Sequence, residues 1–179
     1  NSESLASRFV NAQCINVDSN GEKKGCFSLI FSAQDLAEDE TVILKFLSPE
    51  SMADEYRSDS FSRESEILRK LHSKNRCLSL VYGPDRFKWQ ISMSDGTAID
   101  FDLKYFVTEY LSEDVEPYFL DQNAFTAIKK LELFRSTVLA ISAIHEHDVF
   151  HRDIKYDNFR GLNDNGDIIV KVIDFGTAA

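Results

Sequence analysis

Residues 149–176 read VFHRDIKYDNFRGLNDNGDIIVKVIDFG, and this stretch decides the fold. It opens with a short polar loop, VFHRDIKYDNFRG, and continues into the turn sequence NDNGD at residues 163–167. The β-branched run IIVKVI at residues 168–173 then predicts a strand. Because the strand is followed at once by Asp174-Phe175-Gly176, the stretch places an acidic residue at a strand end, shortly after a charged loop.

A long helix is predicted immediately before this stretch, from Asn123 to His147. Asn123 is a suitable N-cap residue. Apolar side chains recur at helical spacing and predict one continuous apolar face, formed by Phe125, Ile128, Leu131, Phe134, Val138, Ile141 and Ile144.

The first half of the chain is predicted to be rich in β-strands. The runs that favour strands are CFSLIFSA at 26–33, TVILKFL at 41–47, KWQISMS at 88–94 and LKYFVTEYL at 103–111. One helix interrupts them at residues 60–72, SFSRESEILRKLH, with apolar residues at spacings of three and four. Glu64 lies within its apolar stripe and Glu66 lies off it, so Glu64 is the carboxylate expected to face the core, where it needs a positive partner.

The composition excludes several classes of protein. With 43% hydrophobic and 12% aromatic residues, intrinsic disorder is not expected. A formal net charge of −10, from 30 acidic and 20 basic side chains, argues against a nucleic-acid partner. The longest charge-free stretch of the long helix, residues 136–144, is too short for a membrane span. Three widely spaced cysteines favour reduced thiols, so we expect an intracellular and cytoplasmic protein.

The loop HRDIKYDN at residues 151–158 and the DFG at residues 174–176 resemble the catalytic loop and the metal-binding motif of the eukaryotic-type protein kinase family. The order of the other elements fits as well: Lys45 in VILKF, Glu64 on a helix, then a strand that ends in EYL. The resemblance implies an α+β, two-lobed protein-kinase-like fold with a small β-rich lobe and a partial helical lobe.

The resemblance also implies a role for each motif residue. Asp153 would accept or orient the proton of the substrate hydroxyl, and Lys155 would support the γ-phosphate, a pattern similar to that of serine/threonine kinases. Asn158 and Asp174 would be the magnesium ligands. His151 would be structural, packing the loop against the DFG segment.

On the same resemblance, a further set of residues would bind ATP. Lys45 would contact the α and β phosphates and pair with Glu64, while Thr108 would be the gatekeeper. The backbone of Glu109 and Leu111 would bond adenine, and the ring would be covered by Ile30 and Ile43. Of the glycine-rich loop, which expects three glycines, only Gly25 matches, because Lys23 and Ser28 occupy the other two places.

Two further departures from the family pattern bear on function. Arg160 stands where an apolar residue usually lies beneath adenine, so either that floor is rebuilt or the alignment is displaced by one residue. The sequence ends at Ala179, directly after DFG. Three explanations are open: the chain is a fragment of a longer kinase, a natural minimal kinase, or a truncated inactive form. We favour the first.

We therefore expect residues 1–20 to be an unassigned extension, residues 21–111 a kinase N-lobe, and residues 112–179 a partial C-lobe. The expected activity is transfer of phosphate from Mg-ATP to serine or threonine hydroxyls of a protein substrate. The alternatives are a non-catalytic kinase-like module that binds nucleotide or protein, and a small-molecule kinase.

Overall fold

The computed structural model describes residues 2–22, 27–72, 74, 76–120, 126–164 and 167–179. The chain forms two compact units, the first made of residues 1–65 and 80–110 and the second of residues 66–79 and 111–179. Unit 1 is built on a five-stranded antiparallel sheet and unit 2 on a three-stranded sheet with a long helix, so the expected α+β class is confirmed. No helix among the described residues is long and apolar enough to cross a membrane.

The sheet of unit 1 has the strand order β1-β2-β3-β5-β4. Its strands are β1 (Phe9–Cys14), β2 (Ser28–Asp35), β3 (Glu40–Leu47), β4 (Leu80–Ser92) and β5 (Ala98–Glu109). One face buries a cluster formed by Leu5, Phe9, Ala33, Val42, Leu44, Phe46, Leu103, Tyr105 and Val107. Side chains alternate between the two faces of a strand, so Lys45 and Phe106 project from the opposite face.

Residues 1–20, which we had left unassigned, contribute to this sheet. Helix α1 (Ser2–Arg8) leads into β1, and Leu5 and Phe9 belong to the buried cluster. The Arg8 guanidinium donates to both carboxylate oxygens of Asp35, at 2.9 and 2.7 Å, and the side chain of Asp35 is fully buried. The guanidinium also lies over the rings of Phe9 and Tyr82. The amino-terminal segment is therefore fixed to unit 1 by an ion pair as well as by apolar contacts.

Helix α2 (Glu55–Leu71) begins five residues before the predicted start at Ser60. Its first turn is charged and lacks the apolar spacing on which the prediction relied. Phe61, Glu64 and Leu68 are buried, so the helical-phase prediction for Glu64 is confirmed. The Phe61 ring packs against Phe106 of β5 at 5.0 Å between centroids.

Strands β4 and β5 are longer than predicted and form an arm that projects past β3. Among the described residues, β3 pairs with β5 only over Tyr105–Glu109, whereas β4 pairs with β5 as far as Ser92↔Ala98. One face of the arm is polar and the other apolar, the apolar face being formed by Phe87, Trp89, Ile91, Ile99, Phe101 and Leu103. The early part of β4 was missed because Gly83-Pro84 suggests a break, and the strand instead accommodates it with irregular register.

Unit 2 contains the sheet β6-β7-β8 and the helices α3 (Glu116–Leu120) and α4 (Ala127–His145). Its strands are β6 (Glu113–Asp114), β7 (Phe159–Asp164) and β8 (Asp167–Val172). Strand β7 was predicted as loop because its sequence, FRGLND, lacks a β-branched run. Ser136 of α4 joins helix to sheet: its hydroxyl donates to the Ile168 carbonyl at 3.1 Å and accepts from the Val170 N–H at 3.0 Å.

The boundaries and the buried face of α4 correct the sequence prediction. The N-cap is Thr126, whose hydroxyl accepts from the Lys129 N–H, and Asn123, the predicted cap, lies outside the described residues. The buried positions are Leu133, Ser136, Ala140 and Ile144. Most of the predicted apolar face is exposed, including Ile128, Leu131, Phe134 and Val138.

Candidate active site

In unit 1, Lys45 and Glu64 form a close ion pair between β3 and α2. The Lys45 ammonium donates to both carboxylate oxygens of Glu64 at 2.8 Å. The two side chains are only 15% and 5% exposed, so water screens the pair weakly. A buried carboxylate needs such a partner, and Glu64 has it.

The predicted adenine-covering residues share the sheet face of Lys45. Ile30 is opposite Lys45 in the register between β2 and β3, and Ile43 is opposite Thr108 between β3 and β5. Directly opposed residues of antiparallel strands project from the same face, so these four side chains line one surface of the sheet. Glu109 is the last residue of β5, and Leu111 is a buried residue that begins the second segment of unit 2.

In unit 2, Asp153 is held by two neighbours from its own loop. Lys155 donates to its Oδ2 from 2.9 Å, and the side-chain amide of Asn158 donates to the same oxygen at 3.1 Å and to the Asp153 carbonyl at 2.8 Å. Asn158 is buried, whereas the Asp153 carboxylate is 42% exposed. The Asp153 carboxylate therefore faces solvent, while the buried side-chain amide of Asn158 holds it in place.

These contacts set the protonation of Asp153. The hydrogen bond from Lys155 is the largest cause that lowers the pKa of Asp153, and the amide of Asn158 adds to it, while desolvation opposes both. In turn, Asp153 raises the pKa of Lys155. The carboxylate is thus ionised at neutral pH and suited to accepting a hydrogen bond from a hydroxyl group.

His151 fixes the loop to the DFG segment, and its predicted structural role is confirmed. The imidazole is 1% exposed, and its ring packs edge to face on Phe175 at 5.2 Å between centroids. Its Nδ1 accepts from the Asp153 N–H at 3.3 Å, so Nε2 carries the proton and donates to the Ile173 carbonyl at 2.9 Å. The ring therefore forms a buried bridge between the loop and the DFG segment.

The predicted metal ligands are brought near each other by the backbone. The Ile173 N–H donates to the Asn158 carbonyl at 2.9 Å, which places Asp174 next to the catalytic loop. Because both recorded bonds of the Asn158 side chain use its nitrogen, the described residues leave its amide oxygen available. An amide oxygen and a carboxylate are hard donors that suit Mg²⁺.

Two non-glycine residues of these motifs adopt the left-handed backbone conformation, Arg152 at φ 66° and Asp174 at φ 64°. Such conformations cost about 1–3 kcal/mol each and persist only where surrounding contacts fix them. Here Thr177 donates to the His151 carbonyl at 3.1 Å, and Phe150 and Ala179 exchange two backbone hydrogen bonds. Sequence reasoning missed Thr177, because nothing in the residue type or its spacing signals this bond.

The departures from the family pattern have different outcomes. Gly25 and Lys23 lie outside the described residues. Ser28 is the buried first residue of β2, opposite Leu47 of β3. Arg160 of β7 is opposite Asp114 of β6 in register, and its guanidinium forms a salt bridge with the Asp114 carboxylate at 3.2 Å.

Comparison with known proteins supports the resemblance. A family model described as protein kinase domain matches residues 23–179. The CBL-interacting serine/threonine-protein kinase 20 of Arabidopsis thaliana is 27% identical over 87% of the chain and 31% of its own length. The protein kinase domain-containing protein ppk9 of Schizosaccharomyces pombe is 30% identical over 76% of the chain and 22% of its own length. The chain thus spans a third or less of these relatives, and it belongs to the protein kinase family.

Proposed function

We propose that this chain carries the catalytic centre of a serine/threonine-protein kinase that transfers the γ-phosphate of Mg-ATP to a protein hydroxyl group. The observation that carries the proposal is the Asp153 cluster, in which a solvent-facing carboxylate is bonded by Lys155 and by the buried Asn158. Serine/threonine specificity is favoured by Lys155 in this loop and by the similarity to the Arabidopsis relative, which is a serine/threonine-protein kinase.

Unit 1 would supply the nucleotide-binding part of the site. The Lys45 ammonium is held by Glu64 at 2.8 Å and would meet the α and β phosphates. Ile30 and Ile43 offer apolar surface on the same sheet face, and Thr108 would limit the depth available to adenine. Phosphoryl transfer depends on positioning and charge neutralisation, and a lysine fixed by a carboxylate provides both.

Asn158 and Asp174 would hold Mg²⁺ through their side-chain oxygens, and the ion would neutralise charge on the phosphates. The available amide oxygen of Asn158 and the backbone bond from Ile173 support this assignment. Asn158 would therefore have two roles: its amide nitrogen bonds Asp153, and its amide oxygen would hold the ion.

Asp153 would orient the acceptor. Its lowered pKa makes it a weak base, so we expect it to align the hydroxyl by accepting a hydrogen bond and to take the proton late. The hydroxyl oxygen then forms the new P–O bond while the bond to ADP breaks. Lys155 offers positive charge beside the same carboxylate, where the transferred group would pass.

A nucleotide-binding module without transfer activity is the second candidate. The departure of Lys23 and Ser28 from the glycine pattern favours it, because close backbone approach to phosphate needs glycine. Against it stand Lys45, Asp153, Asn158 and Asp174, which complete the set that transfer requires.

The test is ATP-dependent phosphate transfer to a generic basic protein, measured with this chain, with a form extended beyond Ala179, and with Asp153→Asn in each. The matched control is Asp167→Asn, which removes a 91% exposed carboxylate of the same unit. We expect transfer that Asp153→Asn reduces at least 100-fold, on the order of the usual general-base contribution, and that Asp167→Asn preserves.

Activity of the 179-residue form would make it a sufficient catalytic unit, and activity of the extended form alone would make it part of a larger one. Mg-ATP binding without transfer in either form would contradict the kinase proposal and favour the binding module. Transfer that survives Asp153→Asn unchanged would contradict the role of Asp153.

A further inference from the structure

Lys104 forms an unusual contact between β5 and α2. Its ammonium donates to the hydroxyl oxygens of Ser58 and Ser62, each at 2.9 Å. The two serines are four residues apart and therefore lie one above the other on the same side of the helix. A single side chain thus bonds two successive turns of α2.

Within the described part of the chain, no carboxylate bonds to this half-buried ammonium. Hydroxyl groups neutralise no charge, so the contact acts through direction and distance rather than through strong attraction. The Ser62 hydroxyl is itself oriented, because it donates to the Ser58 carbonyl at 2.9 Å as well as accepting from Lys104. The arrangement therefore specifies where the helix lies along the strand.

The same sheet face carries the Lys45–Glu64 ion pair. Lys104 is two residues before Phe106, which is opposite Lys45 in register and packs on Phe61 of α2. The helix thus meets this face at three successive places: the lysine contact at Ser58 and Ser62, the ring contact at Phe61, and the ion pair at Glu64.

Sliding of α2 along the sheet would disturb the ion pair. Each residue of a helix advances about 1.5 Å, so a displacement of that size directed along the 2.8 Å contact between Lys45 and Glu64 carries it beyond hydrogen-bond range. The ring contact between Phe61 and Phe106 would weaken as well, because van der Waals attraction falls steeply with distance. Lys104, with two directional bonds on successive turns, resists it.

We propose that Lys104 is a positioning residue that holds α2 at the height where Glu64 pairs with Lys45. The proposal rests on the proposed function in that Lys45 is taken to bind the phosphates of ATP. In this proposal Ser58 and Ser62 accept the hydrogen bonds of Lys104. The position of Glu64 in the nucleotide site then depends on contacts in the amino-terminal half of α2.

The test combines a double-mutant cycle with a chemical readout. Lys104→Met, Glu64→Gln and their combination are compared in phosphate transfer and in labelling of Lys45 by an amine-reactive probe, quantified by mass spectrometry. Lys104→Arg is the conservative variant, and Ser58→Ala with Ser62→Ala removes the contact from the helix side. Arg86→Met is the matched control, because Arg86 is opposite Lys104 in register but is 58% exposed and pairs with Asp102.

We expect Lys104→Met and the double serine variant to lower kcat/KM by about 10- to 100-fold, the usual effect of misplacing a reacting group by about 1 Å. Labelling of Lys45 should rise severalfold in both and in Glu64→Gln, because a Lys45 side chain that Glu64 no longer holds is more accessible, and its amine form can then react with the probe. In the Glu64→Gln background, Lys104→Met should cause no further change. Lys104→Arg should recover most of the loss, and Arg86→Met should behave as the unmodified chain.

Equal losses from Lys104→Met with and without Glu64 would overturn the proposal, as would unchanged Lys45 labelling in both contact variants. Labelling of Lys45 does not require phosphate transfer, so it tests the positioning role of Lys104 separately from the proposed kinase activity. Raised labelling in a chain that transfers no phosphate, in the 179-residue form or in the form extended beyond Ala179, would leave the positioning role intact and contradict the proposed kinase activity instead.

Discussion

Replacement of Asp35 by asparagine tests whether the amino-terminal segment is part of the fold of unit 1. The Asp35 carboxylate is fully buried and accepts two bonds from Arg8 and one from the Ala37 N–H at 3.0 Å. Asparagine keeps the shape but presents an N–H group to the guanidinium, so at least one charged hydrogen bond is lost. Such a bond contributes about 1.5–3 kcal/mol. Because Arg8 is 31% exposed and can be rehydrated, we expect a loss of about 2 kcal/mol.

The effect should depend on pH in a defined direction. The hydrogen bond from Arg8 is the largest cause that lowers the pKa of Asp35 in the folded chain. A lowered folded pKa contributes stability that is present above the unfolded value, about 3.9, and is lost as the pH falls through the folded value. The difference between the two chains should therefore be full at pH 7 and shrink below about pH 4.

The assay is urea unfolding followed by far-ultraviolet circular dichroism, because Trp89, the single tryptophan, lies in the β4–β5 arm and would report opening of the arm rather than unfolding of unit 1. Asp102→Asn is the matched control, because the Arg86–Asp102 pair is 58% and 49% exposed and should contribute less than about 0.5 kcal/mol. If Asp35→Asn costs no more than this control at pH 7, the ion pair does not stabilise unit 1 and the reasoning is wrong.

Three further predictions concern unit 2. Gly161→Ala should destabilise the chain by about 1–3 kcal/mol in urea unfolding, because a Cβ there would lie 2.6 Å from Ile168 and 3.0 Å from Glu113; unchanged stability would mean that the strands can separate. Thr126→Ala should cost about 1 kcal/mol by loss of the N-cap bond of α4, while Thr126→Ser should cost little. The rate of phosphate transfer should show no acidic limb from Asp153 between about pH 5 and pH 8, since its pKa is lowered from about 3.9; a limb near pH 6 that disappears in Asp153→Asn would contradict this.

The sequence predicted some features well because they depend on local rules. The helical phase of α2 was sufficient to place Glu64 in the core, and the charged loop and DFG marked the neighbourhood of Asp153 and Asp174. The face of α4 was predicted less well. Its apolar residues do form a stripe, but the surface that β8 covers is a different one centred on Ser136, and helical spacing alone does not tell which surface a sheet will cover.

Other features could not be predicted because distant parts of the chain determine them. The pairing of Arg8 with Asp35 spans 27 positions, and the contact of Lys104 with Ser62 spans 42. Neither pair has a recognisable spacing, so only the packing of α1 and α2 against the sheet brings the partners together. The support of Asp153 by the Asn158 amide is local, yet the family resemblance directs attention to the oxygen of that side chain rather than to its nitrogen.

The projecting arm of β4 and β5 has a consequence for local opening. Between Arg86↔Lys104 and Ser92↔Ala98 the two strands pair only with each other among the described residues, and a two-stranded ribbon is marginally stable in water. The amide hydrogens of the arm should therefore exchange with solvent through openings that leave the rest of the sheet intact, most readily near the turn at Asp95 and Gly96. Phe106 and Val107, fully buried and paired with β3, should exchange only when unit 1 as a whole unfolds. Lys104 lies at the boundary between the arm that opens locally and the part of β5 that exchanges only on global unfolding. The strand that holds α2 is therefore rigid from Tyr105 onward and able to open before Lys104.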